Sequence, residues 1–233
     1  MVCNVITADK ANKLYWFGRY AERVYITLHL LRRYYDKVID GDISDLTEYY
    51  TLLGVDCSGY TQENEALQLS QLYDRDNICS IITSLDMCKD NAIVLRRDIT
   101  SESLSYIQMS HALIEECSES GEKNITRLQL ITDYMLALFG SIDERVFDKR
   151  IRRFIKIGKL IENLDLHIRF NYPFFRIEEA YTTLREHLDQ ESTVVNHDAL
   201  EILDDLIVAD RYDSHELSLK GRVIEQLNKL ISI

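Results

Sequence analysis

The chain has 233 residues, with 27 Lys and Arg against 39 Asp and Glu, a formal net charge of -12 and a pI of about 5.0. Nucleic acids and anionic membranes attract basic proteins, so we expect neither as a partner. Hydrophobic residues make up 46% of the chain, enough for a core that needs no disulfides. A single Pro and eight Gly leave little material for turns, sheets or linkers, which makes helix the default expectation.

The five cysteines form neither a C-x-x-C pair nor a zinc-binding spacing, which is typical of reduced thiols in a reducing compartment. No stretch approaches the roughly 18 apolar residues of a membrane span, and the first residues do not follow the pattern of a secretion signal. We therefore expect a cytoplasmic protein.

A long helix is predicted over about 10–39, with Asp9 as its N-cap and Gly41 at its end. Its apolar residues recur every three or four positions, at Leu14, Phe17, Ala21, Val24, Leu28, Leu31, Tyr35 and Val38. This spacing predicts one buried seam, as in the spine of a helical bundle.

A second long helix is predicted over 146–171 and ends before Pro173. Turn and cap signals predict eight shorter helices, at 44–53, 62–73, 78–98, 101–118, 125–139, 175–188, 195–208 and 215–231. No segment shows the two-residue alternation of a half-buried strand. The sequence therefore predicts an all-α, multi-helix bundle that forms a single domain over 1–233.

The two long helices share a pattern, because Phe17-Gly18-Arg19-x-x-Glu22 recurs 140 residues later as Ile157-Gly158-Lys159-x-x-Glu162. The apolar seams also superpose, which favours two related helices about a pseudo-twofold axis. Any two amphipathic helices share a seam, however, so a true repeat and a chance similarity both remain open.

A polar stripe runs beside each seam, through Gly18 and Glu22 on the first helix and through Gly158, Glu162 and Asp165 on the second. Gly inside a helix costs about 1 kcal/mol relative to Ala, so each Gly predicts a close approach of another backbone or a ligand. The carboxylates then either line a polar cleft that binds substrate or moves protons, or form helix-surface and inter-helix ion pairs. The spacing alone favours the ion pairs.

Other chemistry is sparse. His111 and Glu115 place two types of metal ligand one helical turn apart, but a pair like this is usually structural, so we predict no metal site. The chain has no Gly-rich phosphate loop and no G-x-S-x-G elbow, so we predict no cofactor. A basic strip on one face of the second long helix either meets an acidic partner or phosphate, or is simply solvated; it consists of Lys149, Arg152, Arg153, Lys156 and Lys159.

Three segments resemble the alpha-E family, bacterial helical proteins with a Glu-Arg pair. The string ANKLYWFGRYAERVYITLHLLR at 11–32 holds that pair as Glu22-Arg23. The stretches Asp76-Asn77-x-x-Ser80-Ile81 and Asn91-Ala92-x-x-x-Arg96-x-x-Ile99-Thr100-x-Glu102 are similar to the central pattern of the family, and the Gly158 helix is similar to its second Glu-Arg segment. The chain departs from the family pattern at Ile93, Leu104 and Asn163.

The resemblance implies an association with ATP-grasp-type peptide ligases and transglutaminase-like proteins, in systems that make or modify peptides through amide bonds. We expect a helical component that acts with such a ligase on a peptide and binds a peptide or carboxylate in a polar cleft; the alternative is a non-catalytic adaptor or scaffold. Whether the chain is itself an enzyme stays open. The predicted catalytic residues are Glu22, Arg23, Arg96, Glu102 and Glu162, and the predicted substrate-binding residues are Arg19, Asn77, Asn91 and Asp165.

Overall fold

A computed structural model describes residues 6–55, 65–122, 125–213 and 215–232, and these residues confirm the all-α class. The helices are α1 (Ala8–Asp40), α2 (Thr47–Leu53), α3 (Glu65–Tyr73), α4 (Ile81–Val94), α5 (Ser101–Ser120), α6 (Ile125–Arg145), α7 (Lys149–Arg169), α8 (Phe174–Leu188), α9 (His197–Leu206) and α10 (Leu217–Lys229), with a 3-10 helix at Asp189–Val194. The β pairing in these ranges is an isolated bridge between Val195 and Ile231. Within the same ranges, no helix has the length and apolar content needed to cross a membrane.

Most helix ends follow the capping residues of the sequence, with three corrections. Asp9 is not the N-cap of α1, because α1 begins at Ala8 and Asp9 lies in its first turn. Gly41 and Gly54 take positive φ values of 79° and 91° where α1 and α2 end, as a left-handed C-cap requires. The prediction of a helix over 78–98 was too long, because the Ser80 side chain caps Thr83 N and α4 ends at Val94. The prediction that a helix ends before Gly140 was wrong. α6 continues to Arg145, since burial of the next turn outweighs the cost of one glycine.

The chain divides into two compact units, each described here by itself. The terminal unit comprises the residues up to Arg19 and those from Arg153 onward, whereas the central unit comprises Tyr20–Arg152. Both α1 and α7 therefore contribute residues to each unit. The expectation of a single domain over 1–233 stays a prediction.

The core of the terminal unit is built on α7. The seam predicted for this helix is fully buried, and it packs with apolar side chains of α8, α9 and α10. These seam residues are Ile157, Ile161, Leu164 and Ile168. Each stripe residue of α7 directly follows a seam residue in sequence. Burial of the seam in the core therefore fixes where the polar stripe lies in the unit.

In the central unit, α1 continues the same seam from Ala21 through Leu31. One turn later, Tyr34 is buried and the predicted Tyr35 is 39% exposed, so the seam shifts by one residue. Helix α2 packs on this part of α1, where the Tyr49 hydroxyl donates to the Thr27 carbonyl oxygen at 3.2 Å. Helices α3 to α6 complete the unit, and α5 lies against both α4 and α6.

Candidate functional site

The terminal unit brings α1 and α7 together at two glycines. A Cβ atom added to Gly18 would collide with the carbonyl oxygen of Ile155 and lie 3.1 Å from the Lys159 nitrogen. A Cβ added to Gly158 would collide with the carbonyl oxygen of Tyr15 and lie 3.1 Å from the Arg19 nitrogen. Only glycine at both positions lets the two backbones approach this closely.

These contacts are reciprocal. Adding 140 to the residue numbers 15, 18 and 19 gives 155, 158 and 159, so each glycine faces the same two positions of the other helix. A pseudo-twofold axis through the crossing requires this pattern, which favours the interpretation of two related helices. The position of Arg19 on α1 corresponds to Lys159 on α7.

Beside the crossing, Arg19 and Glu162 form a buried ion pair. The Arg19 Nε donates to Glu162 Oε2 at 2.7 Å, and the two side chains are only 4% and 2% exposed. The other side of the guanidinium donates to the Tyr15 hydroxyl at 3.2 Å and to Asn228 Oδ1 at 3.1 Å, and Trp16 stacks 5.2 Å from it. The pair is therefore shielded from solvent and held from three sides.

Asp165 extends this pair into a cluster of four charged groups. Its Oδ2 lies 4.0 Å from an Arg19 nitrogen, and its Oδ1 accepts a 2.6 Å hydrogen bond from Arg169 Nε. The Arg169 carbonyl oxygen in turn accepts from Lys220 Nζ at 3.1 Å. We call Arg19, Glu162, Asp165 and Arg169 the buried cluster. It is neutral overall, since two guanidinium groups face two carboxylates.

Burial and charge act differently on the members of the cluster. Burial disfavours the charged form of Arg19, but Glu162 and Tyr15 more than compensate, so its pKa lies above the ordinary value and the group stays charged. Burial raises the pKa of Asp165, and Arg169 offsets this rise only in part. Asp165 therefore keeps its proton to higher pH than an exposed aspartate does.

Two further predicted residues lie in the first half of α1 within the central unit. Glu22 is 1% exposed, so it is as buried as Glu162. Arg23 is half-buried, with its guanidinium 5.9 Å from the centre of the Tyr20 ring. The Glu-Arg pair therefore places one side chain inside the unit and directs the other toward its surface.

The remaining predicted residues lie along α4, its flanking turns and the start of α5. Arg96 is exposed and donates to the Ile93 carbonyl oxygen at 3.1 Å, whereas Glu102 is exposed and accepts from Arg145 at 3.3 Å. The Asn77 side chain accepts from Cys79 N at 3.0 Å in the turn before α4. Asn91, on α4, is half-buried. In the described ranges, no hydrogen bond or ion pair joins Arg96 to Glu102.

Thr100, which lies between Arg96 and Glu102, has an unusual backbone. Its φ is 71° and its ψ is 158°, a conformation that is rare for a β-branched residue. The Thr100 side chain caps α5 by accepting from Ser103 N at 3.4 Å. Strain of this kind persists where the surroundings enforce it, and such places are often functional.

The basic strip of α7 is mostly engaged within the protein. Arg152 donates to the Val146 carbonyl oxygen, and Arg153 pairs with Glu191, which is 3% exposed. Lys156 and Lys159 are half-buried, and Lys149 is exposed. This arrangement favours an internal role for the strip over a surface that binds phosphate.

Sequence reasoning missed the polar partners that come from distant helices. Asn228 reaches Arg19 from α10, and Lys220 reaches the end of α7, yet no spacing in the chain signals either contact. Tyr15 was detectable, since it precedes Arg19 by one helical turn. On α4 and α5, Asp86, His111 and Glu115 place three potential metal-ligand atoms within 4.8 Å of one another, whereas the sequence pointed only to the last two.

Comparison with known families identifies the chain. Residues 8–215 match Alpha-E, described as a predicted alpha-helical domain with a conserved ER motif. The match covers all the predicted site residues, including the Glu22-Arg23 pair. Comparisons with curated proteins and with solved structures give no match. Because the match spans most of the sequence, the chain belongs to the Alpha-E family.

Proposed function

We propose that the chain is a non-catalytic helical component of a bacterial, cytoplasmic system that modifies peptides or forms amide bonds, and that it acts with an ATP-grasp-type ligase. The Arg19–Glu162 pair carries this proposal, since both side chains are almost completely buried and held at a helix crossing. Groups that are paired with each other and closed to solvent are not accessible to a substrate. The link to the ligase rests on the family resemblance.

The described cysteines are compatible with a reducing compartment. Cys88 and Cys117 are buried free thiols, and Cys79 is an exposed one. Burial raises the pKa of the Cys88 thiol, so this side chain is inert rather than nucleophilic. Buried free thiols support the cytoplasmic part of the proposal.

A reconstituted reaction tests the proposal. The ligase, ATP and a peptide are combined with or without the chain, and the peptide is followed by intact mass. We expect the chain to raise product formation with the ligase and to leave the peptide mass unchanged without it. A mass change produced by the chain alone would refute the non-catalytic role.

A second candidate function is a substrate-holding site at the turn between α4 and α5. The strained Thr100 backbone favours it, because the exposed Arg96 and Glu102 flank that residue. The Arg96 guanidinium is suited to a peptide carboxylate, since its planar fork matches two carboxylate oxygens.

Two variants separate these functions in the same reaction. Arg96→Met raises the KM for the peptide if this turn holds the substrate, whereas it leaves KM unchanged if the chain only docks the ligase. Arg211→Met, at another exposed arginine, serves as the matched control. Circular dichroism confirms that both variants are folded.

A further inference from the structure

We propose that Asp86, His111 and Glu115 form a binding site for a divalent cation of the zinc class. Asp86 comes from α4, and the other two residues lie one turn apart on α5. One ligand atom from each lies within 4.8 Å of the other two. The proposal goes beyond the function given above and does not depend on it.

The separations between the ligand atoms suit a small cation. His111 Nε2 lies 2.8 Å from Asp86 Oδ1 and 3.4 Å from Glu115 Oε1. A tetrahedral Zn²⁺ with bonds of about 2.0–2.1 Å holds its ligand atoms about 3.3 Å apart. Small side-chain rotations therefore bring the three atoms onto three corners of a tetrahedron and leave the fourth corner for water.

The chemistry of the donors selects the type of ion. An imidazole nitrogen together with carboxylate oxygens suits Zn²⁺ and related transition metals, whereas Mg²⁺ and Ca²⁺ prefer oxygen ligands alone. The His111 side chain is 14% exposed and the two carboxylates are 32% and 35% exposed. The site is thus open enough for an ion to enter and sheltered enough to hold it.

Two cationic side chains contact the three candidate ligands. Arg75 Nε donates to Asp86 at 3.0 Å, and its terminal nitrogen pairs with Glu115. Lys89 Nζ lies 3.3 Å from both nitrogens of the His111 ring. Both side chains are long and flexible, and Arg75 is half exposed, so both are able to turn into solvent when a metal ion replaces them.

Zinc binding by the full chain tests the proposal. We expect isothermal titration with Zn²⁺ to show one ion per chain, and excess Mg²⁺ not to compete. His111→Gln should weaken this binding at least about tenfold, because losing even a supporting group of a metal site costs about 10–100-fold. His197→Gln is the matched control: this residue also precedes a glutamate, Glu201, by four positions on a helix, and it is not part of a three-ligand group among the described residues.

A further variant probes the competition. Arg75→Gln removes one of the resident cations, so it should tighten Zn²⁺ binding at least about threefold while the stoichiometry stays the same. If His111→Gln does not fold, imidazole ¹⁵N shifts of the wild-type chain during the titration identify the histidine that binds. Failure of the wild type to bind Zn²⁺ below about 1 mM would overturn the proposal. So would binding that survives His111→Gln, or binding that appears only in Arg75→Gln.

Discussion

Two arginines of this protein are each held by two carboxylates, in opposite environments. Arg19, in the terminal unit, faces Glu162 and Asp165 and is 4% exposed. Arg75, in the central unit, faces Asp86 and Glu115 and is 50% exposed. Burial makes each partner of Arg19 important, because water cannot solvate the buried guanidinium if a carboxylate is lost. The partners of Arg75 are exposed, so water can take their place at little cost.

The largest effect is expected from Glu162→Gln, which leaves the buried Arg19 guanidinium with only the more distant Asp165 as a counter-charge. Breaking a buried pair in this way costs about 3–5 kcal/mol of unfolding free energy. Urea denaturation followed by circular dichroism measures the loss.

The control for this change is Glu225→Gln, in the exposed pair that Glu225 forms with Lys229. Its unfolding curve should overlay that of the wild type. If the two variants were equally stable, burial would not be what distinguishes the two settings.

The helix crossing gives the next largest effect. Gly158→Ala forces the new methyl group onto the Tyr15 carbonyl oxygen, so α1 and α7 must move apart. We expect a loss of about 2–3 kcal/mol, as for overpacking in a core. The same urea titration measures this loss.

Gly140→Ala provides the contrast, because this glycine is exposed and nothing lies within 4 Å of an added Cβ. There the higher helix propensity of alanine should stabilise the protein by up to about 1 kcal/mol. A Gly158→Ala protein as stable as Gly140→Ala would contradict the close crossing.

A pH effect distinguishes Asp165 from an exposed carboxylate. Burial raises the pKa of Asp165 in the folded protein, so the folded state keeps this proton to higher pH than the unfolded chain does. Wild-type stability therefore falls as pH rises through the raised pKa, whereas Asp165→Asn lacks this fall. Urea midpoints measured across acidic to neutral pH should rise for the variant relative to the wild type as the pH increases. A gap that stays constant with pH would contradict this assignment.

The smallest effect is expected at the exposed arginine. Arg75→Gln should change the unfolding free energy by only about 0–1 kcal/mol, since solvent replaces both of its partners. Thermal melting monitors the change. A loss as large as that of Glu162→Gln would show that the exposed setting is as demanding as the buried one.

The helical class was predictable because apolar spacing and caps act locally. Gly41 was predicted to end α1 and does so, and Gly54 and Thr100 cap α2 and α5 in the structure. The end predicted at Gly140 failed because tertiary packing of Ile142 and Ser141 outweighs a local preference of about 1 kcal/mol.

Only the part of the site that lies on the two long helices was predictable from the sequence. The repeated glycines predicted a close approach, and the crossing confirms it. The structure pairs Arg19 with Glu162, 143 positions away, a partner that no spacing within α1 indicates. Asp86 stayed undetected beside His111 because contacts between helices follow from packing and leave no periodic signal in either helix.

The long sequence separation within the terminal unit also has a consequence during synthesis. Arg19 leaves the ribosome well before Glu162, and at 5–20 residues per second the intervening chain takes roughly 7–30 s to make. During that time the Arg19 guanidinium has no Glu162 to pair with, and Gly18 has no α7 backbone to pack against. The central unit is continuous in sequence and ends at Arg152, so it is synthesised before most of α7, and the order of translation favours its folding first.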